Sequence, residues 1–366
     1  MIMSTRRIYI GNVPVGGGSA VTIQSMCNTA TADVKATLDQ IRHLAAAGCQ
    51  IIRLAVPDME AALAFKNITS ASPIPVIADI HFDCRLAVAA IENGAAAVRV
   101  NPGNLGGTDA VKAVADALKK YHVPVRVGAN SGSLPKDRLQ HLQAATPEEH
   151  DELLSDALVE SVLQQAAEFE RFGVEDIKVS LKASSVPATV KAYRKFAMRS
   201  DYPLHVGVTE AGTPARGIVK SAAGIGALLL DGIGDTIRVS LTADPEQEVI
   251  AALRILESVG VRESTPDLVA CPTCGRTKID LVGLAEKVES LINRIKAEGG
   301  SIMLKKVAVM GCVVNGPGEA KDADIGIAGG DKKVVLFRKG IIEATLSESE
   351  GFAALEKIIR ENTRWN

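Results

Sequence analysis

Three of the six cysteines stand in a pattern that could do chemistry. Cys271-Pro-Thr-Cys274 is a CxxC followed by Gly275, and Cys312 closes an apolar run, Val307 to Met310, and opens the stretch Cys312-Val-Val-Asn315-Gly-Pro-Gly-Glu319. Thiolates at such spacings hold zinc or iron–sulfur clusters, and both usually take four protein ligands. Here there are three thiols and a carboxylate, Glu319, seven residues beyond the last of them. Three sulfur donors and one oxygen describe a metal centre with one exchangeable position. CPTCG also resembles half of a zinc ribbon, but no second CxxC or histidine pair completes it. A cluster tolerates three thiolates with its fourth iron left to another donor, which brings electrons and Lewis acidity to one place. Gly311, Gly316 and Gly318 would let the backbone approach so bulky a group.

A second constellation is cationic. The triplet aliphatic–Arg/Lys–aliphatic recurs as Ile52-Arg53-Leu54, Val98-Arg99-Val100, Val125-Arg126-Val127, Ile177-Lys178-Val179 and Ile237-Arg238-Val239. Residues two apart in a strand share a face, so each basic residue lies opposite its aliphatic neighbours. Lys178, Ser180 and Lys182 share one face of DIKVSLK, and Arg238, Ser240 and Thr242 one face of TIRVSLT.

The elements that would position these groups follow from periodicity. Eight β-branched runs, 21–26, 51–56, 75–80, 97–102, 124–129, 176–181, 204–209 and 236–241, alternate with amphipathic segments of helical length. Those segments cover 33–47, 58–69, 83–93, 108–120, 147–171, 187–198, 214–229 and 245–258. Eight consecutive βα units with right-handed crossovers close most economically into an α/β, (β/α)8 TIM-type barrel, the alternative being an open doubly wound sheet. The aliphatic face then packs on the helices and the cationic face lines the lumen. Barrel interiors are normally apolar, so several converging cations need carboxylates or a bound anion. One arginine could pair with Asp79, Glu210 or another acid; the whole set suits a phosphate or diphosphate. Asp79, His81, Asn101, Asn130, Lys182, Glu210 and Ser240 fall at strand ends, where substrate sites of this fold lie.

Weaker signals are structural. Gly16-Gly17-Gly18 reads as a turn, and Gly224-Ile-Gly226 lies inside a helical stretch without a third glycine. Asn101-Pro-Gly-Asn104 with Gly106-Gly107-Thr108 could present backbone N–H groups to an anion. Cys49 and Cys84 read as small buried residues, and Cys27 ends the first strand. Residues 259–267 lose periodicity and read as a linker, giving a barrel over 1–260 and an α+β domain over 261–366. In the latter a strand runs into Cys271, then come a helix at 279–296, strands at 305–310, 324–329 and 333–338, and a helix at 348–362.

Composition bounds the rest. Hydrophobic residues make up 47% of 366 but aromatics only 3%, so the core is aliphatic, as in buried parallel sheets. A formal charge of −2 gives no reason to expect nucleic acid or a membrane surface as partner. There is no run of membrane-spanning length and no hydrophobic leader, so the expected compartment is the cytoplasm, where cysteines stay reduced.

ACPTCGR (270–276) with GCVVNGPGE (311–319) resembles the cluster signature of the 4-hydroxy-3-methylbut-2-enyl diphosphate synthase family, also called IspG or GcpE. The barrel segments QSMCNT (24–29), IIRLAVP (51–57), ADIHFD (78–83), RVNPGN (99–104), RVGANSGS (126–133) and VTEAG (208–212) are similar to it as well. The resemblance covers nearly the whole chain and fits the shorter bacterial form, with no room for the extra domain of plant-type members. It implies two-electron reductive ring opening of 2-C-methyl-D-erythritol 2,4-cyclodiphosphate, with loss of water, in the non-mevalonate isoprenoid pathway. It further implies a 4Fe-4S cluster, flavodoxin or ferredoxin as electron donor, and a homodimer in which one chain's cluster domain caps the partner's barrel. Carried over by motif, Cys271, Cys274 and Cys312 hold three irons and Glu319 the fourth until substrate displaces it, with Asn315 close by. Arg53, Arg99, Arg126, Lys182 and Arg238, helped by Asn130 and Ser240, hold the diphosphate; Lys178 lies a pleat deeper. Asp79, His81, Thr209 and Glu210 line the mouth, with Glu210 as proton donor. The residues alone leave two other readings: a redox-neutral phosphate-ester lyase or transferase barrel with structural zinc, and an iron–sulfur sensor or carrier.

Overall fold

The chain opens with a hairpin, β1 (Ile8–Ile10) and β2 (Val13–Val15), before the runs of alternating aliphatic and polar residues begin. These runs form β3 (Thr22–Met26), β4 (Ile51–Val56), β5 (Val76–Ile80), β6 (Ala97–Arg99), β7 (Val125–Asn130), β8 (Ile177–Lys182), β9 (His205–Val206) and β10 (Thr236–Ile237). All neighbours are parallel, in the order β8-β7-β6-β5-β4-β3-β10-β9. A parallel bridge between Val179 and Leu204 joins the two ends and closes the barrel. This computed structural model describes residues 4–134, 142, 145–263, 266–314, 316–331 and 333–365. Contacts divide the chain into two compact units, Met1–Arg262 and Glu263–Asn366.

The outer layer of the first unit consists of α1 (Val34–Ala46), α2 (Met59–Ala71), α3 (Cys84–Glu92), α4 (Thr108–Tyr121), α5 (Pro147–Glu170), α6 (Val186–Ala197), α7 (Pro214–Leu230) and α8 (Pro245–Ser258). Most start where the sequence supplies a cap: Asp33, Asp58, Asp83, Thr146, Ser185 and Asp244 each accept a backbone N–H of the first turn. Such caps contribute about 1 kcal/mol each and fix where a strand-to-helix loop ends. One continuous core joins the aliphatic strand faces, Val98, Val127 and Val179 among them, to helix residues such as Phe65, Phe169 and Phe196.

Two features differ from expectation. β9 and β10 have two residues each and β6 three, against runs of six in the sequence. Backbone hydrogen bonds nevertheless continue past these short strands, from Val100 N to Arg126 O at 3.1 Å, Arg238 N to Val206 O at 3.0 Å and Thr209 N to Ala183 O at 3.3 Å. The hairpin β1–β2 has no counterpart in the sequence reading, because strands of three residues are too short to show a period. Ile8, Ile10 and Val15 pack on Ile51, Ile77 and Ala97, the inward side chains one pleat below Arg53, Asp79 and Arg99, and so seal the floor of that side.

The second unit is built on a five-stranded sheet, β11 (Asp267–Ala270), β13 (Lys306–Met310), β14 (Ile325–Gly329), β15 (Val334–Arg338) and β16 (Ile341–Leu346), in that order. The first three are parallel and the rest antiparallel. Alternation along β13 sends Val307 and Val309 to one face, against α9 (Leu281–Ala297) and a later helix at 348–361, and Ala308 and Met310 to the other. A short helix, α10 (Gly316–Glu319), precedes β14, and α11 (Glu348–Glu361) follows β16. The two-stranded pair β12 (Gly300–Ile302) with β17 (Thr363–Trp365), and β16 itself, were not anticipated. Among the described residues, no helix is long and apolar enough to cross a membrane.

Candidate active site and thiol centre

At the C-terminal ends of the barrel strands lies a cavity of about 230 Å³. The pleat explains what lines it. β4, β5 and β6 contribute Arg53, Asp79 with His81, and Arg99; β7 and β8 contribute Arg126, Asn130, Ser180 and Lys182; Thr209, Arg238 and Ser240 come from the residues following β9 and β10. Register places Asp79 beside Arg99, Arg99 beside Arg126, and Asn130 beside Lys182. Ten residues expected at the site are therefore gathered in one space, and Ser180 joins them.

Asp79 is the electrostatic centre of one wall. Arg53 Nε lies 3.4 Å from its Oδ2, and Arg99 Nη1 3.3 Å from its Oδ1. His81 Nε2 is 3.7 Å from the same oxygen and 3.2 Å from Arg99 Nη1. Burial alone would raise the Asp79 pKa, but Arg53, His81, Arg99 and Arg126 outweigh it and hold the carboxyl well below the usual range. Opposite, Glu248 of α8 reaches in from the helix layer. Its Oε2 lies 3.3 Å from Arg238 Nε and accepts from Ser25 Oγ at 3.2 Å, while its Oε1 accepts from Leu241 N at 3.0 Å. The Met26 sulfur accepts from Arg53 Nη2 at 2.9 Å.

These two acids do not neutralise the lumen. Arg53, Arg99, Arg126, Lys182 and Arg238 line it, and Lys178 lies beneath them, where Asp235 is a further carboxylate acting on it. Burial, then the neighbouring arginines, pushes Lys178 and Lys182 well below the ordinary lysine range; Arg53 is lowered to about 10, by burial first. Arg126 is 4% exposed, and among the described residues its Nη1 meets no hydrogen-bond partner. A buried guanidinium with an unmet donor costs free energy that an anion would return. Lys178 Nζ is 3.5 Å from Gln24 Oε1, one pleat beneath the cavity, and does not line it.

Space at this level depends on two glycines. A Cβ on Gly128 would collide with Ser180 Oγ, and one on Gly207 would meet the Arg238 carbonyl and lie 3.0 Å from Lys182 Nζ. Glu210 follows Thr209 but is exposed, with φ of 51°, and does not line the cavity. In the Asn101 loop, the Asn101 side chain accepts the Gly103 N–H at 3.1 Å, so part of the supposed anion cradle is already satisfied. Cys27 and Cys49 are buried, and burial raises their thiols to about 12 and about 11. Cys84 opens α3 and is half-buried rather than sealed.

Glu248, like Ser180, is a residue that sequence reasoning did not place at the site. Its signal was present: it falls on the buried stripe of α8 with Pro245, Val249, Ala252 and Leu256, where a carboxylate implies a partner facing inward.

In the second unit, β11 and β13 are parallel neighbours, so Cys271 and Gly311–Cys312 emerge side by side at their ends. The Gly311 N–H donates to Cys271 Sγ at 3.1 Å. Cys274 is exposed, and the Arg276 backbone N–H, followed by its side chain and Thr277, lowers its thiol pKa. Gly316 N donates to Cys312 O at 3.0 Å, starting the turn of α10 that ends on Glu319. A Cβ at Gly316 would lie 2.8 Å from Met310 Cβ, so only glycine allows this approach. Asn315 lies outside the described residues. Among those residues no three His, Cys, Asp or Glu side chains are close enough to hold a single metal ion. A cluster makes a different demand, because its ligands are spread by its own width. Three thiols on adjacent loops, one already accepting a backbone N–H, fit that donor set.

The first unit is thus a (β/α)8 barrel with a cationic lumen, and the second a small α+β unit with three thiols on the loops after β11 and β13, the layout of a two-domain barrel enzyme. A family model for the GcpE TIM-barrel domain matches residues 5–253, and one for the GcpE protein C-terminal domain matches residues 267–361. The chain belongs to the GcpE family. Among its relatives is the 4-hydroxy-3-methylbut-2-en-1-yl diphosphate synthase (flavodoxin) of Geobacter sulfurreducens, 52% identical over 365 residues, 99% of each chain. Proteins of the same name from Desulfotalea psychrophila and Clostridium perfringens are each 50% identical, covering 95% and 97% of this chain and 92% and 98% of their own.

Proposed function

We propose that this chain is a 4-hydroxy-3-methylbut-2-en-1-yl diphosphate synthase. It opens the ring of 2-C-methyl-D-erythritol 2,4-cyclodiphosphate with two electrons and two protons, releasing water and (E)-4-hydroxy-3-methylbut-2-enyl diphosphate. The observation that carries the substrate reading is the buried Arg126 with its unmet Nη1, set among cations that Asp79 and Glu248 do not balance. Arg53, Arg99, Arg126, Lys182 and Arg238 would bind the diphosphate through charge-assisted hydrogen bonds, with Asn130, Ser180 and Ser240 supplying neutral ones. Asp79 and Glu248 would hold Arg53, Arg99 and Arg238 in place before substrate arrives, so little reorganisation is needed on binding.

A 4Fe-4S cluster on Cys271, Cys274 and Cys312, with Glu319 at the remaining position, would supply the electrons at a site that substrate can reach. Asn315 belongs to the same loop. Glu210, exposed at the rim, remains the proposed proton donor, with His81 and Thr209 on the adjoining wall. Flavodoxin, named for the relatives, is the proposed electron donor, and ferredoxin the alternative; a homodimer would bring a cluster domain to a barrel mouth.

Anaerobic purification followed by metal and sulfide analysis tests this reading. Brown protein containing iron and sulfide, which converts the cyclodiphosphate with a low-potential reductant, is expected. Colourless protein containing only zinc would overturn it.

A further inference from the structure

Four described residues other than glycine have a positive φ, and two of them follow barrel strands at the mouth: Phe82 after β5, at 66°, and Glu210 after β9. Phe82 is the more constrained. Asp83 N donates to the His81 carbonyl at 2.9 Å, closing a three-residue turn about Phe82. With φ positive, this is the rarer and strained form of γ-turn, and a bulky side chain there is an outlier. Such strain persists where neighbours over-determine it. Here they do: Asp79 is held by two arginines, and Asp83 caps α3 through Arg85 N at 2.9 Å while its other oxygen takes Arg85 Nη2 at 2.8 Å.

The strain gains the free protein little in packing, because Phe82 is 72% exposed. It lies 6.0 Å, centroid to centroid, from the ring of His81, which lines the cavity. Every side chain lining that cavity is polar or charged. A diphosphate finds ample partners there, but the carbon skeleton attached to it finds little apolar surface. Phe82 offers one at the rim.

We propose that Phe82 is the apolar cover of the active site, its ring closing over the carbon skeleton of the substrate while the lumen cations hold the diphosphate below. The inference rests on the reading of the lumen as a diphosphate site. It is tested on the holoenzyme with two probes, the cyclodiphosphate as substrate and inorganic pyrophosphate as competitor. Phe82→Ala is expected to raise KM for the cyclodiphosphate about tenfold or more, the worth of burying one large apolar side chain, and to leave pyrophosphate inhibition unchanged. Phe82→Leu should recover most of the loss. Phe82→Gly should match Phe82→Ala in KM yet unfold no lower than wild type, because glycine adopts positive φ freely. An unchanged KM in Phe82→Ala would overturn the proposal, as would pyrophosphate inhibition weakened to the same extent. If pyrophosphate fails to inhibit wild type, the diphosphate reading falls, and the cover with it.

Discussion

Glu248, on a helix of the outer layer, holds Arg238 inside the lumen at 3.3 Å, so the helix layer sets the position of a guanidinium that lines the cavity. The same carboxylate takes the Leu241 N–H and the Ser25 hydroxyl, fixing the strand end that carries Ser240. Glu248→Gln should therefore cost about 1–3 kcal/mol of stability, as expected for disturbing a buried charge-assisted bond. Chemical denaturation measures it, and inorganic pyrophosphate should restore part of the loss by pairing the released guanidinium. A variant as stable as wild type would remove Glu248 from this role.

Arg126 invites the opposite experiment. Its guanidinium is buried with an unmet donor in the free protein, so Arg126→Met should stabilise that state by about 1–3 kcal/mol. The same change should weaken pyrophosphate binding at least tenfold. Thermal unfolding with and without pyrophosphate reads both effects; loss of stability together with unchanged binding would contradict the assignment.

Asp79 predicts a pH dependence with a definite sign. Its folded-state pKa is depressed, so its contribution is fully present above the ordinary carboxylate range, about 3.9. That contribution is lost as pH falls from there toward the lower folded value. Asp79→Asn should be less stable than wild type near neutrality, by about 3 kcal/mol or more because Arg53 and Arg99 lose their buried partner. The difference should shrink as pH drops below the ordinary carboxylate range. A gap independent of pH would mean that charge at Asp79 is not what matters.

The barrel was legible because β-branched runs and helical segments alternate eight times, and the lumen because Arg or Lys recurs between aliphatic neighbours. What stayed hidden has physical causes. The β1–β2 hairpin is too short to show a period, and only tertiary packing reveals that Ile8 and Ile10 seal the floor. Glu248 is one of several acids on α8, and only the packed structure shows it buried against Arg238 and Ser25. The notable status of Phe82 depends on a backbone angle, which residue type does not report. Glu210 was expected at the mouth because it falls at a strand end within the motif VTEAG; its backbone is left-handed, and it is exposed and does not line the cavity.

In the second unit, Glu319 ends α10, seven residues after Cys312, and is the proposed exchangeable ligand. Glu319→Ala should keep iron and sulfide content and lower turnover by orders of magnitude, whereas Cys271→Ala, Cys274→Ala and Cys312→Ala should each lose the cluster. Loss of iron in the Glu319 variant would show that it is a structural ligand instead.

The most direct measurement is an electron-paramagnetic-resonance spectrum of the anaerobically reduced protein, recorded with and without the cyclodiphosphate. The expected result is a reduced iron–sulfur signal whose shape changes when the cyclodiphosphate is added. An absent iron–sulfur signal, or one indifferent to the cyclodiphosphate, would contradict reduction of this substrate at a cluster.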